Sequence, residues 1–411
     1  MENTALSVSS VEEVSSLETD CPAEIDPGLW ARWQGWDKLP ADDFLHMVQL
    51  GKLGHNVGLG NGLTKINNYI YGTHRARYYL IGADSNVGKT TITDFMYILK
   101  GWEEAKRLGR KFKCYYCSFE ISKADKIARW VSYYIFLKFG VRLPTDYFLG
   151  RIEGRKLKPE HERMVIVGYQ AVTEIMKDIV WLDTMATPTE IFEGIIVSHY
   201  EKNGTVKRQA VPVEAQKKGK KGAICGFSSN DNTSIIMLMA DHMALAALEG
   251  LDIKSTMDKL SKYAVVLRNL FGTTCVFIQQ FSTDLMGANR QLQMKKSEAS
   301  IAPNRLDFGD SKATFRDADI VLGYTKPNQY LNEFMKYNLS PIDGLGDCMV
   351  AQYLLKNRYG PSNRVCPLFL DGVSGIAYDL PPEPLNMLLM QEWYDKAKQI
   401  EKVCLEYCPQ K

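Results

Sequence analysis

The chain has 411 residues, 45% of them apolar, enough for two domains or one large α/β domain with extensions. Its 50 Lys and Arg against 48 Asp and Glu leave a formal charge of +2, so only local charge can speak for or against a nucleic-acid partner. The nine scattered cysteines do not pattern as a secreted disulfide scaffold, the acidic, Ser-rich opening is no signal peptide, and no apolar run reaches the roughly 18 residues of a membrane span, so a reducing cytoplasmic setting is the expectation.

In chain order, residues 1–25 read as a mobile or extended arm. Residues 28–52 carry Trp30, Trp33 and Trp36 and a helical stretch near Asp42–Gln49. That segment is too short to fold alone and needs a surface, either its own main domain or a neighbouring subunit. A glycine-rich linker at 54–62 and a short helix over Leu63–Ile70 follow. Tyr78–Ile81 then reads as a buried strand, 83–90 as a loop ending in Gly-Lys-Thr, and Thr91–Trp102 as an apolar-periodic helix. Strand, loop and helix in this order make a phosphate-binding loop, formed by Ala83, Asp84, Ser85, Asn86, Val87, Gly88, Lys89, Thr90 and Thr91. Backbone N–H groups would cradle a polyphosphate, Lys89 would reach its β and γ phosphates, and the Thr90 hydroxyl would hold Mg²⁺. Ala83 stands where the strict pattern has glycine.

Lys113–Phe119 reads as an aromatic strand that delivers Glu120 to the carboxyl edge of a parallel sheet, where it could polarise water or simply charge a helix N-terminus. Cys114 and Cys117 on that strand point to opposite faces, as core thiols do. Helices are expected at 122–138, 160–177 and from Pro188 to Ile196, with a short strand at Ile179–Leu182 ending in Asp183. Residues 201–222 read as an insertion with six cations, Lys207, Arg208, Lys217, Lys218, Lys220 and Lys221; it is a solvated excursion or a phosphate-backbone contact. Ser234–Ala240 is an apolar strand tipped by Asp241, the second half of a Mg²⁺ site, and His242 either faces that site or supports it. After a helix at Leu251–Leu270, the strand Thr274–Ile278 runs into Gln279 and Gln280, an amide placed to sense the γ-phosphate. The following loop, 283–305, carries Arg290, Lys295, Lys296 and Arg305 and is the first candidate for touching single-stranded DNA, against the plainer reading of a surface loop. Lys356 and Arg358 precede a Gly-Pro turn and a strand at Val365–Leu370, so they ride a hairpin, as a projecting pair of cations or as a charged strand edge. A terminal amphipathic helix is expected over 385–408, where Cys404 and Cys408 could share a face.

This ordered set resembles the DnaB-type replicative helicases, a hexameric RecA-like family, over about residues 60–375. The carriers are ADSNVGKT at 83–90, Ser118-Phe119-Glu120, Met239-Ala240-Asp241, Gln280, DFGDSKATFRDAD at 307–319 and KNRYGP at 356–361. Gly309 and Asp310 stand where the family has arginine and glutamate in the fifth of these. The resemblance implies a RecA-like P-loop NTPase core with a mostly parallel central sheet flanked by helices. It also implies Glu120 as the catalytic glutamate, Mg²⁺ on Thr90 and Asp241, and Lys356 and Arg358 reaching a neighbour's γ-phosphate. The family's separate N-terminal helical domain and any primase-like zinc module are expected to be missing.

The organisation expected is an N-terminal arm and linker at 1–60, an ATPase domain at 61–380 and a helical tail at 381–411. The function expected is an ATP- and Mg²⁺-dependent hexameric helicase moving on single-stranded DNA, with 5′–3′ polarity, a phage-like setting and a primase or other replication protein as partner. The rivals are a non-unwinding RecA-like DNA-stimulated ATPase and a module that uses ATP only to hold its oligomer.

Overall fold

The computed structural model describes residues 41–407 apart from 183, 185, 210–221, 223, 232, 283–301, 310, 330–335, 338–339, 342–343 and 382–386. Trp30, Trp33, Trp36, Asp183, Asp310, Cys408 and the cations at 217–221 and 290–296 therefore lie outside the described residues. The chain divides into two units, one of residues 1–57 and 206–228, the other of 58–205 and 229–411. The first boundary falls inside the glycine-rich stretch read as a linker, while the tail belongs to the second unit.

The smaller unit contains the helix Ala41–Lys52, matching the helical stretch read there. It also takes in most of a two-stranded ribbon. The strands, numbered along the whole chain, are β1 (Tyr78–Ala83), β2 (Phe112–Ser118), β3 (Ile179–Leu182), the ribbon pair β4 (Gly204–Arg208) and β5 (Ile224–Ser229), β6 (Ile235–Asp241), β7 (Thr274–Gln280), β8 (Ile320–Thr325), the two-residue pair β9 (Lys336–Tyr337) and β10 (Ser340–Pro341), β11 (Met349–Asn357), β12 (Arg364–Leu370) and β13 (Ala377–Asp379). The ribbon gives the basic insertion a structure that its composition did not announce. Lys207 is exposed on it, and Arg208 donates to the Gly222 carbonyl.

The larger unit is built on one nine-stranded sheet in the order β13-β12-β11-β8-β1-β7-β6-β2-β3. From β3 to β8 neighbours run parallel; from β8 to β13 they run antiparallel. Strands β1, β6 and β8 are buried along their whole length. Apolar runs without polar alternation are what a parallel sheet covered on both faces requires. Helices supply that cover. Lys123–Phe139 starts from Ser122, whose hydroxyl accepts from the Asp125 amide, and packs on Pro159–Met176. Ile253–Phe271 starts from Asp252, whose carboxylate accepts from the Ser255 amide. The terminal helix Met387–Tyr407 buries Met390, Ala397 and Ile400 against Leu345, Met349 and Phe369. No helix among the described residues is long and apolar enough to cross a membrane.

One element differs in kind from its reading. The single helix expected over Thr91–Trp102 is an α turn at Lys89–Thr93, a π segment at Asp94–Leu99 and a further α-helix at Lys100–Arg107. The π segment is wholly buried, and its wider turn brings the Asp94 carboxylate against Tyr116 and Trp130. Cys114 and Cys117 are free, buried thiols, and burial pushes Cys117 up to about 12.

Candidate nucleotide-binding site

Strand β1 lies between β7 and β8 and ends at Ala83, so its following loop opens at the carboxyl edge of the parallel strands, where open α/β sheets take ligands. Asn86 and Gly88 hold left-handed backbone angles, φ 61° and 95°. At Gly88 a Cβ would also stand 2.6 Å from the tip of the Leu370 side chain at the end of β12, and the left-handed turn itself is what favours glycine there. The loop is thus a backbone cradle feeding the amino end of a helix, the arrangement that favours a polyanion. Lys89 and Thr90 open that helix and are each 7% exposed.

Thr90 faces Asp241 across the sheet edge, its hydroxyl donating to Asp241 Oδ1 at 3.2 Å. A hydroxyl and a carboxylate side by side are hard oxygen donors of the kind Mg²⁺ takes together with waters and phosphate. The residues present therefore fit the ion. The other carboxylate oxygen, Oδ2, accepts from Lys126 Nζ at 2.7 Å. Lys126 is completely buried, also donates to the Tyr116 hydroxyl, and lies 3.5 Å from Asp94. Asp94 in turn accepts from Tyr116 at 2.6 Å and from the Trp130 indole at 3.1 Å. Burial raises the Asp94 carboxyl above its ordinary range, with the Lys126 ammonium pulling it back. Trp181 packs on both Tyr116 and Trp130 and closes the cluster.

Glu120 is exposed two residues beyond β2, and the Phe119 amide donates to the Asp241 carbonyl, tying the two strand tips together. His242 is buried and its Nδ1 has no hydrogen-bond partner among the described residues. Burial holds this imidazole below its ordinary value, with Glu120 pulling upward and Lys89 downward, so His242 feels both.

Adjacent glutamines at the tip of β7 point opposite ways. Gln280 is exposed and donates to the Ser85 hydroxyl of the phosphate loop at 2.8 Å. Gln279 is buried, donates to the Phe308 carbonyl and accepts from the Thr314 hydroxyl at 2.7 Å. Thr314 belongs to the short helix Lys312–Asp317, inside the segment that departs from its pattern at Gly309. A Cβ at Gly309 would stand 2.8 Å from Ser282, so an arginine there would have to displace that residue.

The hairpin cations lie at the other end of the sheet. Asn357 is level with Ile320, and Ile320 with Tyr79, which places 356–358 at the amino end of β1 while the phosphate loop leaves its carboxyl end. Six residues of strand span about 20 Å. Lys356 is the second-last residue of β11 and Arg358 lies just past its end, and both side chains reach the Arg316 carbonyl. Lys356 Nζ donates to the carbonyls of Phe315, Arg316 and Ala318, capping the carboxyl end of the helix Lys312–Asp317. Burial, then the neighbouring Arg358, lowers Lys356 to about 8. Arg358 pairs with Asp319 at 3.2 Å and donates to the Arg316 carbonyl, yet stays 42% exposed. Asp319 is buried and also accepts from Arg268 at 2.7 Å and from the Tyr78 amide at 2.9 Å.

Of the DNA-contact candidates, Arg290, Lys295 and Lys296 lie outside the described residues; Arg305 is exposed on a short 3-10 turn, Arg305–Asp307. Sequence reasoning passed over Lys126 and Asp94, and it did not separate the buried Gln279 from the exposed Gln280. Lys126 had a signal: it shares the helical stripe of Trp130 and Tyr133, both buried, and a lone cation on an apolar stripe needs a buried partner. Asp94 sits one helical turn after Thr90 and so faces the same way.

No family model and no curated protein matches the chain. Solved structures do. The ATPase domain of G40P aligns with a TM-score of 0.59 at 16% identity, covering 84% of this chain and 100% of that one. A DnaB-like replicative helicase, described with its interactions with primase, aligns with a TM-score of 0.54 at 16% identity, covering 90% of this chain and 70% of that one. With its mostly parallel sheet, flanking helices and loop after the central strand, the chain has the RecA-like fold of DnaB-type helicase ATPase domains.

Proposed function

We propose that this chain is an ATP-hydrolysing helicase that assembles as a hexamer, moves 5′–3′ along single-stranded DNA and unwinds duplex at a replication fork. The observation that supports this reading is a separation: the phosphate loop stands at the carboxyl end of β1 and the Arg358 hairpin at its amino end, so if Arg358 serves hydrolysis it serves a neighbour's site. One copy supplies Lys89 on the β and γ phosphates, Thr90 and Asp241 toward Mg²⁺, Gln280 against the loop and Glu120 to orient the attacking water. Bound there, Mg²⁺ would supply positive charge that offsets the charge of the phosphates. The neighbour supplies Arg358 as the trans-acting cation. Lys356 would join it on releasing the three carbonyls it caps.

The DNA path proposed is the loop 283–305, directly after the Gln280 strand tip, with Arg290, Lys295, Lys296 and Arg305 as phosphate contacts. A primase-class partner is part of the same reading, supported by the second neighbour, a helicase described with its interactions with primase; a phage-like setting is proposed with it. Three measurements test it together: sedimentation with Mg²⁺ and an ATP analogue, ATP turnover with and without single-stranded DNA, and unwinding of forks with opposite tails. The expected result is a hexamer, DNA-stimulated turnover and unwinding of only the fork whose 5′ tail can be loaded. DNA-stimulated turnover without unwinding would make it a non-unwinding motor. Turnover indifferent to DNA would leave only an assembly module.

A further inference from the structure

The candidate Mg²⁺ carboxylate is already half engaged. Asp241 presents Oδ1 to the Thr90 hydroxyl, while Oδ2 is taken by the Lys126 ammonium at 2.7 Å. Neither Asp241 nor Lys126 has any solvent exposure. Four elements meet to build this pair: β6 brings Asp241, the helix Lys123–Phe139 brings Lys126 and Trp130, β2 brings Tyr116, and the stretch after the phosphate loop brings Thr90 and Asp94. The ammonium is satisfied by Asp241 and Tyr116, with Asp94 at 3.5 Å and the Tyr116 ring beneath it at 4.7 Å. A buried carboxylate that waits for a divalent ion faces two problems. It must stay aimed at the metal's position, and its charge must be tolerated inside the protein. An internal ammonium answers both, and it also opposes any cation that approaches alone.

Resting on the Mg²⁺–nucleotide reading of this site, we propose that Lys126 is a positioning residue that fixes Asp241 with Oδ1 toward Thr90 and guards it against free divalent cations, so that the metal enters only with its nucleotide. Triphosphate oxygens and bound waters supply the negative charge and donor atoms that outweigh the ammonium; a bare ion finds one carboxylate oxygen and one hydroxyl beside a fixed positive charge.

The test measures metal affinity directly, using Mn²⁺ as a paramagnetic probe in titrations with and without ADP. The parent should bind free Mn²⁺ weakly and bind it at least about tenfold tighter with ADP. Lys126→Met alone strands two carboxylates in one buried cluster and is expected to fold poorly. The informative variant is Lys126→Met with Asp94→Asn, which removes one formal charge of each sign; the amide oxygen can accept from the Trp130 indole, and the amide NH2 can donate to the Tyr116 hydroxyl, which has lost Lys126 as its donor. It should fold and bind free Mn²⁺ about tenfold or more tighter than the parent, the direction expected when an ammonium leaves the side of a divalent site. Adding Asp241→Asn should abolish that gain. Lys126→Arg, which keeps the charge, should keep free Mn²⁺ binding weak.

A folded double variant with parental Mn²⁺ affinity overturns the proposal. So does a double variant that does not fold, because the pairing of Lys126 with the two carboxylates would then be insufficient to explain its burial. Binding of a fluorescent ADP by the parent, with Mg²⁺ and against Lys89→Ala, is the separate check on the nucleotide reading. Failure there removes both claims; success there with an unchanged double variant removes only the role of Lys126.

Discussion

Asp241 and Asp319 are both completely buried, both stand at strand ends of the same sheet and both hold cations, yet they serve opposite arrangements. At Asp241 the cation is inside: Lys126 has no exposure, and the group turned toward the ligand side is the carboxylate. At Asp319 the carboxylate is the anchor. Arg268 is 11% exposed and Arg358 42%, so the group turned outward is the guanidinium. A sealed ion pair aims its acid and a half-open one aims its base. The two ends of β1 therefore present complementary chemistry, which is what a site shared between identical copies requires.

The largest effect that could break this comparison belongs to Arg358. Arg358→Ala should lower ATP turnover by about 10³-fold or more, as loss of a trans-acting arginine does in the best-studied nucleotide hydrolases. Mixed with Lys89→Ala copies after confirmed subunit exchange, it should regain part of that turnover at interfaces pairing an intact Arg358 with an intact Lys89. Normal turnover in Arg358→Ala alone would make the half-open pair structural. Glu120→Gln comes next: nucleotide binding retained and turnover down about 10²–10³-fold, read by separate titration and steady-state assays. Near-parental turnover would take Glu120 out of the hydrolytic half-site.

Asp319→Asn sharpens the comparison by removing the anchor alone. Breaking a sealed pair costs about 3–5 kcal/mol, and the exposure of Arg358 brings the expectation down to about 1–3 kcal/mol, measured by denaturant unfolding. A loss as large as that of a fully sealed pair would mean that Arg268 carries the interaction. The smallest effect concerns Lys356. Its folded-state value near 8 lies below the ordinary lysine value, so between the two the unfolded chain binds more protons than the folded one. Stability rises with pH across that window. The melting-temperature difference between parent and Lys356→Met should shift in the parent's favour from about pH 8 to pH 10, and a flat difference would return Lys356 to an ordinary surface value.

What could be read in the sequence followed the range of its signals. The β1 strand and the hairpin turned at Gly360-Pro361 are local patterns: β1 runs two residues past the Tyr78–Ile81 read for it, and the strand read at Val365–Leu370 forms as Arg364–Leu370. The order of strands in the sheet is not local: β6 lies beside β2, with more than a hundred residues between them in the chain. Lys126 was missed for the same reason, since its meaning depends on Asp241 and Tyr116 arriving from other elements. The ribbon β4-β5 was missed because its strands are short, only partly buried and rich in Gly and Ser, with little apolar alternation to mark them.

The helix Lys312–Asp317 has one more consequence. It is six residues and about 9 Å long, a strut with a fastening at each end. Gln279 grips Thr314 near one end, and Lys356 and Arg358 grip the last carbonyls at the other. Gln280, the next residue after Gln279, touches the phosphate loop at Ser85. We infer that a change in a copy's own loop is carried along this strut to Arg358, the residue proposed to act in a neighbour's site. If copies assemble in the proposed ring, such messages would travel one way round it. Nucleotide should then slow amide exchange at 312–317 in the parent but not in Gln279→Leu; equal slowing in both would show that the strut carries nothing.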